Sequence, residues 1–340
     1  MVSVDVVVPC YNYARYLPTC VGSVLSQSGV DVRVLIINDA SPDNTRQVAD
    51  GLAQSDSRIR VIHHETNKGH IFTYNEGLEA ATADYVVLLS ADDILTPGAL
   101  NRATQLMEAN PSVGLVYGHP RTFQGDTVPA PRTGKATWTV WKGDDWLGLM
   151  CRSGKNFIIC PEVVMRTSVQ HQIGGYSSAL PYSADMEMWM RAAKVSDIGR
   201  VNGTDQAYYR VHSLSMQRSV AGMFFDLKIR LLAYEAVLKE DLTATAKRLL
   251  EQARQSIART ALSHATSSIR CDEPLDADVS EYVDFAVAAY PDIAHSRQWR
   301  LLQRIRSARP HPIAITVART VRRVRNSLQY RHWRWRGTEW

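Results

Sequence analysis

Cysteine is scarce in this chain of 340 residues: there are five, Cys10, Cys20, Cys151, Cys160 and Cys271, and none forms a Cys-x-x-Cys pair. That spacing argues against a zinc site and against a disulfide framework. Long apolar runs are missing as well. No window approaches eighteen uninterrupted apolar residues, so no spanning helix is expected. The N-terminus runs straight into a strand pattern, with no basic segment and apolar run before it, so no secretory signal is expected. Neither an internal repeat nor an extended low-complexity run is present. These absences point to a cytoplasmic enzyme, and the length exceeds one typical domain and suffices for a substantial core.

What is present begins with alternation. Val4 to Val8 is an apolar run, broken by Pro9 and followed by Cys10-Tyr11-Asn12-Tyr13, and a helical pattern passes through Val21, Val24 and Leu25. Val32 to Ile37 reads as a second strand, ending in Asn38-Asp39-Ala40-Ser41-Pro42-Asp43-Asn44-Thr45. A helix through Val48 and Leu52 leads to a third strand at Ile59 to Ile62. Asn67-Lys68-Gly69 turns into a helix through Asn75 and Leu78, and Tyr85 to Leu89 is a short, continuously apolar fourth strand. Four strand–helix alternations in about ninety residues predict a parallel sheet with right-handed crossovers. Polar residues follow three of the strands: Tyr11 and Asn12, Asn38 and Asp39, Asp92 and Asp93. They should converge on the carboxyl edge of one sheet, where open α/β sheets place their ligands.

Asp92-Asp93 carries the sharpest chemical signal. Adjacent carboxylates raise each other's pKa unless a cation neutralises them. A hard divalent ion that also holds phosphates is the natural neutraliser. The alternative is a helix N-cap with a first-turn Asp ahead of Leu95-Thr96-Pro97.

In this setting the sequence resembles glycosyltransferase family 2, the inverting sugar-nucleotide enzymes of the GT-A fold. The matching pieces are Val8-Pro9-Cys10-Tyr11-Asn12, Ser23-Val24-Leu25-Ser26-Gln27, the Ile36 to Thr45 segment, Asn67-Lys68-Gly69 with Asn75-Glu76-Gly77-Leu78, and Ser90-Ala91-Asp92-Asp93. The resemblance runs to residue 216. It implies an α/β fold with a Rossmann-like, mostly parallel sheet flanked by helices. Residues 1–110 would form the nucleotide-sugar half, 111–216 the acceptor and catalytic half, and 217–340 a helical C-terminal region.

Residue by residue, the resemblance puts Pro9, Tyr11 and Asn12 at the donor, with the Tyr11 ring able to face the base. It puts Asp39 on the base or ribose, as an acceptor for N–H and hydroxyl donors. Asp93 becomes the direct metal ligand, and Asp92 lies nearer the ribose or behind the ion. Asp43 reads as a turn and cap residue. Two positions depart from the family. Ser90 stands where many relatives carry a third acid, and Tyr74 where relatives often have Arg before the Asn. A diphosphate-facing cation is thereby missing, and Lys68 or a later basic group is its substitute.

Further along, Asn156 to Pro161, Val163 to Arg166, Ile173-Gly174-Gly175-Tyr176 and Ser183 to Arg191 continue the match. The family's catalytic base precedes a Trp/Leu-rich helix, which is the position of Asp185. Glu187 competes, but two residues apart on a helix the carboxylates point in different directions. Glu187, Trp189 and Arg191 are the acceptor-side candidates. Trp189 could instead pack in the core, and Arg191 could be a structural ion-pair partner. Tyr208 to Ser215 resembles the closing motif, with His212 at the metal and diphosphate and Arg210 and Ser215 as weaker phosphate contacts. The resemblance thus implies Mn²⁺ or Mg²⁺, a UDP- or dTDP-type sugar donor, and a glycan or lipid-linked glycan acceptor. A nucleotidyltransferase is the alternative enzyme, though Pro9-Cys10-Tyr11-Asn12 is not the Gly-rich basic loop it wants. A noncatalytic sugar-nucleotide or glycan-binding protein is the other, given Ser90 and Tyr74.

Charge is uneven. From Ile293 onward there are 12 arginines, no lysine and one acid, Glu339, so this segment is +11 and the remainder −6 within an overall +5. Ile313, Val317, Val321, Val324 and Leu328 recur on one helical face, while Arg319, Arg322, Arg323 and Arg325 fall elsewhere. Tyr330, Trp333, Trp335 and Trp340 then interleave with Arg331, Arg334 and Arg336. Residues 313–340 therefore read as an interfacial anchor at an anionic membrane surface, peripheral on the inner face of the plasma membrane. The alternative is a helix packed on its own domain or on a second subunit of a homo-oligomer. No nucleic-acid-binding module is recognised. The stretch from His119 to Trp146, with Trp138, Trp141 and Trp146, could stack on sugar rings or be buried. Residues 217–290 carry helical patterns at Phe224, Leu227, Leu231 and Leu232 and at Leu249, Leu250 and Ile257.

Overall fold

The computed structural model describes residues 1–212, 222–306 and 311–338. Four β-rich runs form the strands β1 (Ser3–Cys10), β2 (Asp31–Asn38), β3 (Ile59–His63) and β4 (Tyr85–Leu88). They alternate with the helices α1 (Leu17–Leu25), α2 (Thr45–Ser55) and α3 (His70–Glu79). In α1 the buried positions Leu17, Cys20, Val21 and Val24 give the i, i+3, i+4, i+7 stripe that one helix face needs to cover a sheet, and a Pro lies in its first turn. The strands pair parallel in the order β3-β2-β1-β4, as the alternation predicts. Pro9 falls beyond the Val4–Val7 stretch paired with β4, at a strand end where a missing N–H is tolerated.

After β4 the chain makes a turn, forms the two-residue β5 (Ile94–Leu95), and enters α4 (Ala99–Ala109) behind Gly98 at φ 73°. Asp92 and Asp93 are therefore in a strand-to-strand turn, and the helix N-cap alternative fails. Then follow β6 (Val113–Tyr117), β7 (Pro120–Phe123), β8 (Thr133–Trp141), α5 (Gly143–Ser153), β9 (Val164–Arg166), α6 (Thr167–Ile173), α7 (Ala184–Val195), β10 (Asp197–Thr204) and β11 (Ala207–Arg210). Strand β9 joins antiparallel between β4 and β6, extending the sheet to eight strands in the order β3-β2-β1-β4-β9-β6-β10-β8. A small second sheet, β5-β11-β7, stands beside it. The core is the apolar layer of Val6, Val8, Ile36, Val87 and Val116 with α1 and α4 residues such as Val21, Leu100 and Leu106.

Two compact units emerge: Met1–Trp146 with Ile158–Ser213, and Leu147–Phe157 with Leu214–Trp340. The expected boundary at 110/111 does not divide the first unit, because β6 and β9 pair into the same sheet as β4. Residues 147–157, expected in the acceptor half, group with the C-terminal helices instead. In that second unit a 28-residue helix, Ala244–Cys271, buries Leu249, Leu250, Ala253, Ile257, Ala261 and Leu262 against its neighbours. Leu232, part of the helical pattern read from the sequence, lies in the helix Met223–Leu238 and is exposed.

Gly77 fixes the approach of α3 to the sheet. A Cβ there would lie 2.2 Å from Val7 Cγ1, and a β-branched strand residue has little room to yield. Gly77→Ala should cost about 1–3 kcal/mol, read as a lower midpoint in urea with an unchanged slope. An unchanged midpoint would show that α3 can lift off β1 without penalty.

Candidate functional site

The polar residues that follow β1, β2 and β4 do converge, since Cys10 pairs with Asn38 and Val7 with Leu88 on the same sheet edge. The tips are tied together: Asn12 N–H donates to Ser41 Oγ (3.0 Å), and Ser41 N–H to Asn38 Oδ1 (3.1 Å). Both turns need a left-handed residue, Asn12 at φ 61° and Ala40 at φ 53°. Such strain in non-glycine residues persists where surrounding bonds over-determine it. Tyr11 is exposed beside these tips, while Pro9 is half-buried. Asp43 has its expected turn role, accepting from Ala14 N–H (3.1 Å), Thr45 N–H (3.0 Å) and Thr45 Oγ1 (2.5 Å).

Asp39 is buried and heavily engaged. Its carboxylate accepts from the backbone N–H groups of Lys68 (2.7 Å) and Gly69 (2.9 Å) and pairs with His64 Nδ1 (2.7 Å). Burial raises its pKa, but the His64 hydrogen bond and the two N–H groups outweigh that and hold it below the usual carboxylate range. His64 bridges onward to Glu76 Oε2 (2.6 Å). Asp39 thus shapes the Asn67-Lys68-Gly69 turn, and any contact to a ligand uses only the acceptor capacity left over. The Lys68 ammonium lies 3.8 Å from Glu76 and 4.4 Å from the Phe72 ring centre. His64 carried no sequence signal, since nothing in the spacing announces its two carboxylate partners.

Asp92 and Asp93 are both buried. Asp93 Oδ1 accepts from Arg210 N–H (2.9 Å), Arg210 Nε donates to the Asp92 carbonyl (3.0 Å), and His212 Nε2 meets Asp92 Oδ2 (3.0 Å). The Arg210 guanidinium is clamped between the rings of Tyr16 and Phe123, 4.4 Å from each centre. His212 stacks on Tyr16 and meets Tyr13 edge-on. Burial first, and the Asp92 charge second, push the Asp93 carboxyl well above its usual range despite the Arg210 N–H. Strand β11 therefore carries Arg210 onto the acidic pair, and the segment just after it brings His212 there. The aromatic clamp was not legible in the sequence, because Tyr16 and Phe123 are far apart along the chain.

Asp185 opens α7 and is half-buried, with Oδ1 accepting from Met186 N–H (2.7 Å). Burial pushes its carboxyl up to about 6. Glu187 is occupied otherwise. Its two oxygens take Arg191 Nε (2.7 Å) and Nη2 (2.8 Å), and Arg191 also donates to the carbonyls of Ile173 and Gly175. Glu187 and Arg191 thus brace the 173–175 turn, as an i, i+4 pair on α7 can. Trp189 is buried with its ring edge-on to Tyr176. Glu187→Gln should lower stability by about 1–3 kcal/mol and leave the pH dependence of turnover in place; a shifted pH profile would return Glu187 to the chemistry.

Tyr74, the departure from the family pattern, sits edge-on to His70 and Tyr176. Burial first, then Cys160, Asp92 and Asp185, raise its hydroxyl pKa, so both Asp92 and Asp185 are within electrostatic reach of one phenol. Asn75 clasps the backbone of Tyr176 through two hydrogen bonds, 2.7 and 2.9 Å. Glu162 was passed over in the sequence. It is buried, neither carboxyl oxygen completes a hydrogen bond, and burial lifts it to about 8 against nearby backbone N–H groups and Arg200. Of the three tryptophans between His119 and Trp146, Trp146 is fully buried, Trp141 stacks on Tyr117, and Trp138 is exposed. Ser215 and Trp340 lie outside the described residues.

Comparison with known proteins follows the same outline. Residues 5–168 match the model of Glycosyl transferase family 2. An uncharacterized glycosyltransferase of Nostoc sp. is 31% identical over 152 residues, 42% of this chain and 47% of the relative. Glycosyltransferase GlyG of Streptococcus pneumoniae serotype 4 is 30% identical, over 34% of this chain and 40% of the relative. The chain therefore spans less than half the length of each of these two curated relatives. Chondroitin synthase of Pasteurella multocida is 26% identical over 58% of this chain and 20% of the synthase. Among solved structures, S. aureus TarS 1–349 in complex with UDP-GlcNAc aligns with TM-score 0.56 and 14% identity over 88% of this chain and 92% of TarS. The mannosyltransferase PcManGT from Pyrobaculum calidifontis, in complex with GDP-Man and Mn²⁺, gives TM-score 0.56 and 14% identity over 93% of this chain and 82% of that one. At these identities the two structures share the fold.

Proposed function

We propose that the chain moves a sugar from a nucleotide-diphosphate sugar to a hydroxyl acceptor, on the footing that residues 5–168 match the glycosyl transferase family 2 model. The setting would be cell-surface glycan or polysaccharide synthesis in the cytoplasm, in line with the synthase relative. The observation that carries this reading is a pair of acidic sites with different environments acting on one phenol, Tyr74. One is the Asp92/Asp93 turn gripped by Arg210 and His212; the other is Asp185 in the first turn of α7, raised to about 6. Environments that separate carboxyl roles in this way assign acid, base and charge-holding work.

Asp185 is the base. It takes the proton of the acceptor hydroxyl, whose oxygen attacks the anomeric carbon opposite the leaving diphosphate, so one displacement inverts the configuration. Tyr11 offers an exposed ring to the base of the donor. Asp39 orders the turn that carries Lys68, which leaves the Lys68 ammonium as a phosphate contact in place of the absent Arg.

A divalent ion fits the acidic pair. Two carboxylates and an imidazole suit Mn²⁺ or Mg²⁺, and burial together with the Asp92 charge pushes the Asp93 carboxyl up, a cost that a divalent ion would offset. Among the described residues no three acidic, His or Cys groups form a complete ligand set. Asp93 and His212, with Asp92 behind them, would therefore supply one or two ligands and leave the rest to the diphosphate. When bound, the ion supplies charge neutralisation for the departing diphosphate. The test is a thermal-shift panel of UDP-, dTDP- and GDP-sugars with and without Mn²⁺ or Mg²⁺: at least one donor should raise the Tm only with metal. A panel with no shift opposes the reading.

A further inference from the structure

The last described helix, Pro312–Arg336, is mounted with its charged side inward. Arg319 Nε donates to the Cys271 carbonyl (2.9 Å), Arg322 pairs with Glu273, and Trp333 Nε1 donates to the Phe157 carbonyl (3.0 Å). All of these partners belong to the same compact unit. On the helical circumference these three anchors lie roughly 170° from the arc of about 80° that holds Ile313, Val317, Val321, Val324 and Leu328. The aliphatic stripe accordingly faces away from the unit, and its members are 55–70% exposed. This is the reverse of an ordinary surface helix, in which the apolar stripe packs and the charges are solvated.

We infer that this outward stripe is a docking surface for an anionic lipid surface, with the helix lying in the plane of the interface. Charge selects the occupant. The helix carries seven arginines and no acidic residue. Arg325 and Arg331 flank the stripe, where they would meet lipid phosphates as the aliphatic side chains enter the acyl boundary. A second copy of the chain is a poor alternative, because stripe-to-stripe pairing would bring Arg325 and Arg331 of both copies together with no acidic residue on the helix to offset them. Crossing the bilayer is not required: among the described residues no helix is long and apolar enough to span a membrane.

The experiment uses the full chain with extruded vesicles of phosphatidylcholine, alone or mixed with phosphatidylglycerol, in low and high salt. Cosedimentation is expected with the mixed vesicles at low salt and should be partly lost at high salt. Val321→Asp with Val324→Asp should reduce the bound fraction by on the order of tenfold or more, and Arg325→Gln with Arg331→Gln should weaken binding chiefly at low salt. Because the stripe is outside the packed face, both variants should keep the Tm and the metal-dependent donor shift of the native chain. That separates failure here from failure of the glycosyltransferase reading. Equal binding by the aspartate variant, or no binding to either vesicle, overturns the proposal. A dimer by light scattering that the aspartate variant dissociates, without vesicle binding, overturns it in favour of a second copy.

Discussion

An Asp185→Asn enzyme is expected to lose on the order of a hundredfold or more in kcat while donor affinity changes little. Asn preserves the shape and can still accept the Met186 N–H, so α7 should start as before. What disappears is the proton acceptor. The pH profile provides an independent reading. Burial raises Asp185 to about 6, so the native enzyme should hold its rate above that pH. Below it, kcat/KM should fall about tenfold per unit as the carboxylate is protonated. A limb near the ordinary Asp value of about 4 would mean that the titrating group is not this buried carboxyl. Near-normal turnover by the variant would remove Asp185 as the base. Glu187 could not simply inherit the role, since Arg191 holds both its oxygens.

The second large effect concerns Asp93. Asp93→Ala should abolish metal-dependent donor stabilisation, which at a hundredfold excess over Kd amounts to about 2.7 kcal/mol. Chelation of the native enzyme should reproduce the loss, and His212→Ala should show a milder form. The cause is local. Asp93 is buried beside Asp92 and accepts a hydrogen bond from the Arg210 backbone N–H. On the proposed reading a divalent ion holds that carboxylate ionised, and removing either partner would leave the donor diphosphate without its counter-charge. Full activity in chelator would show that the acidic turn organises Arg210 and His212 and nothing more.

The β3-β2-β1-β4 half was legible because each strand is a continuous apolar run punctuated by polar turns, and parallel burial leaves that imprint. The acidic pair and Asp39 could be placed at one sheet edge for the same reason, whereas His212 was indicated only by the family resemblance. The division of labour within the second half was not legible. The resemblance put the base at Asp185 with Glu187 as its competitor, and the bidentate grip of Arg191 on Glu187 sets their environments apart. Glu162 and His64 were invisible because their significance lies in burial and in partners distant along the chain. The three-residue strand β9 was also missed as an antiparallel insertion, being too short to show a period. The tail periodicity was read correctly, yet periodicity cannot tell which face packs. That was decided by Arg319, Arg322 and Trp333 finding partners while the aliphatic stripe found none of its own unit.

Phosphorus NMR of donor turnover is the most direct measurement of the central claim. Purified chain, incubated with the donor that shifts its Tm, Mn²⁺ or Mg²⁺ and a glycan acceptor, should release nucleoside diphosphate, and the sugar should appear on the acceptor with inverted configuration. Release of pyrophosphate, or a bound donor that never turns over across the acceptor panel, would contradict it.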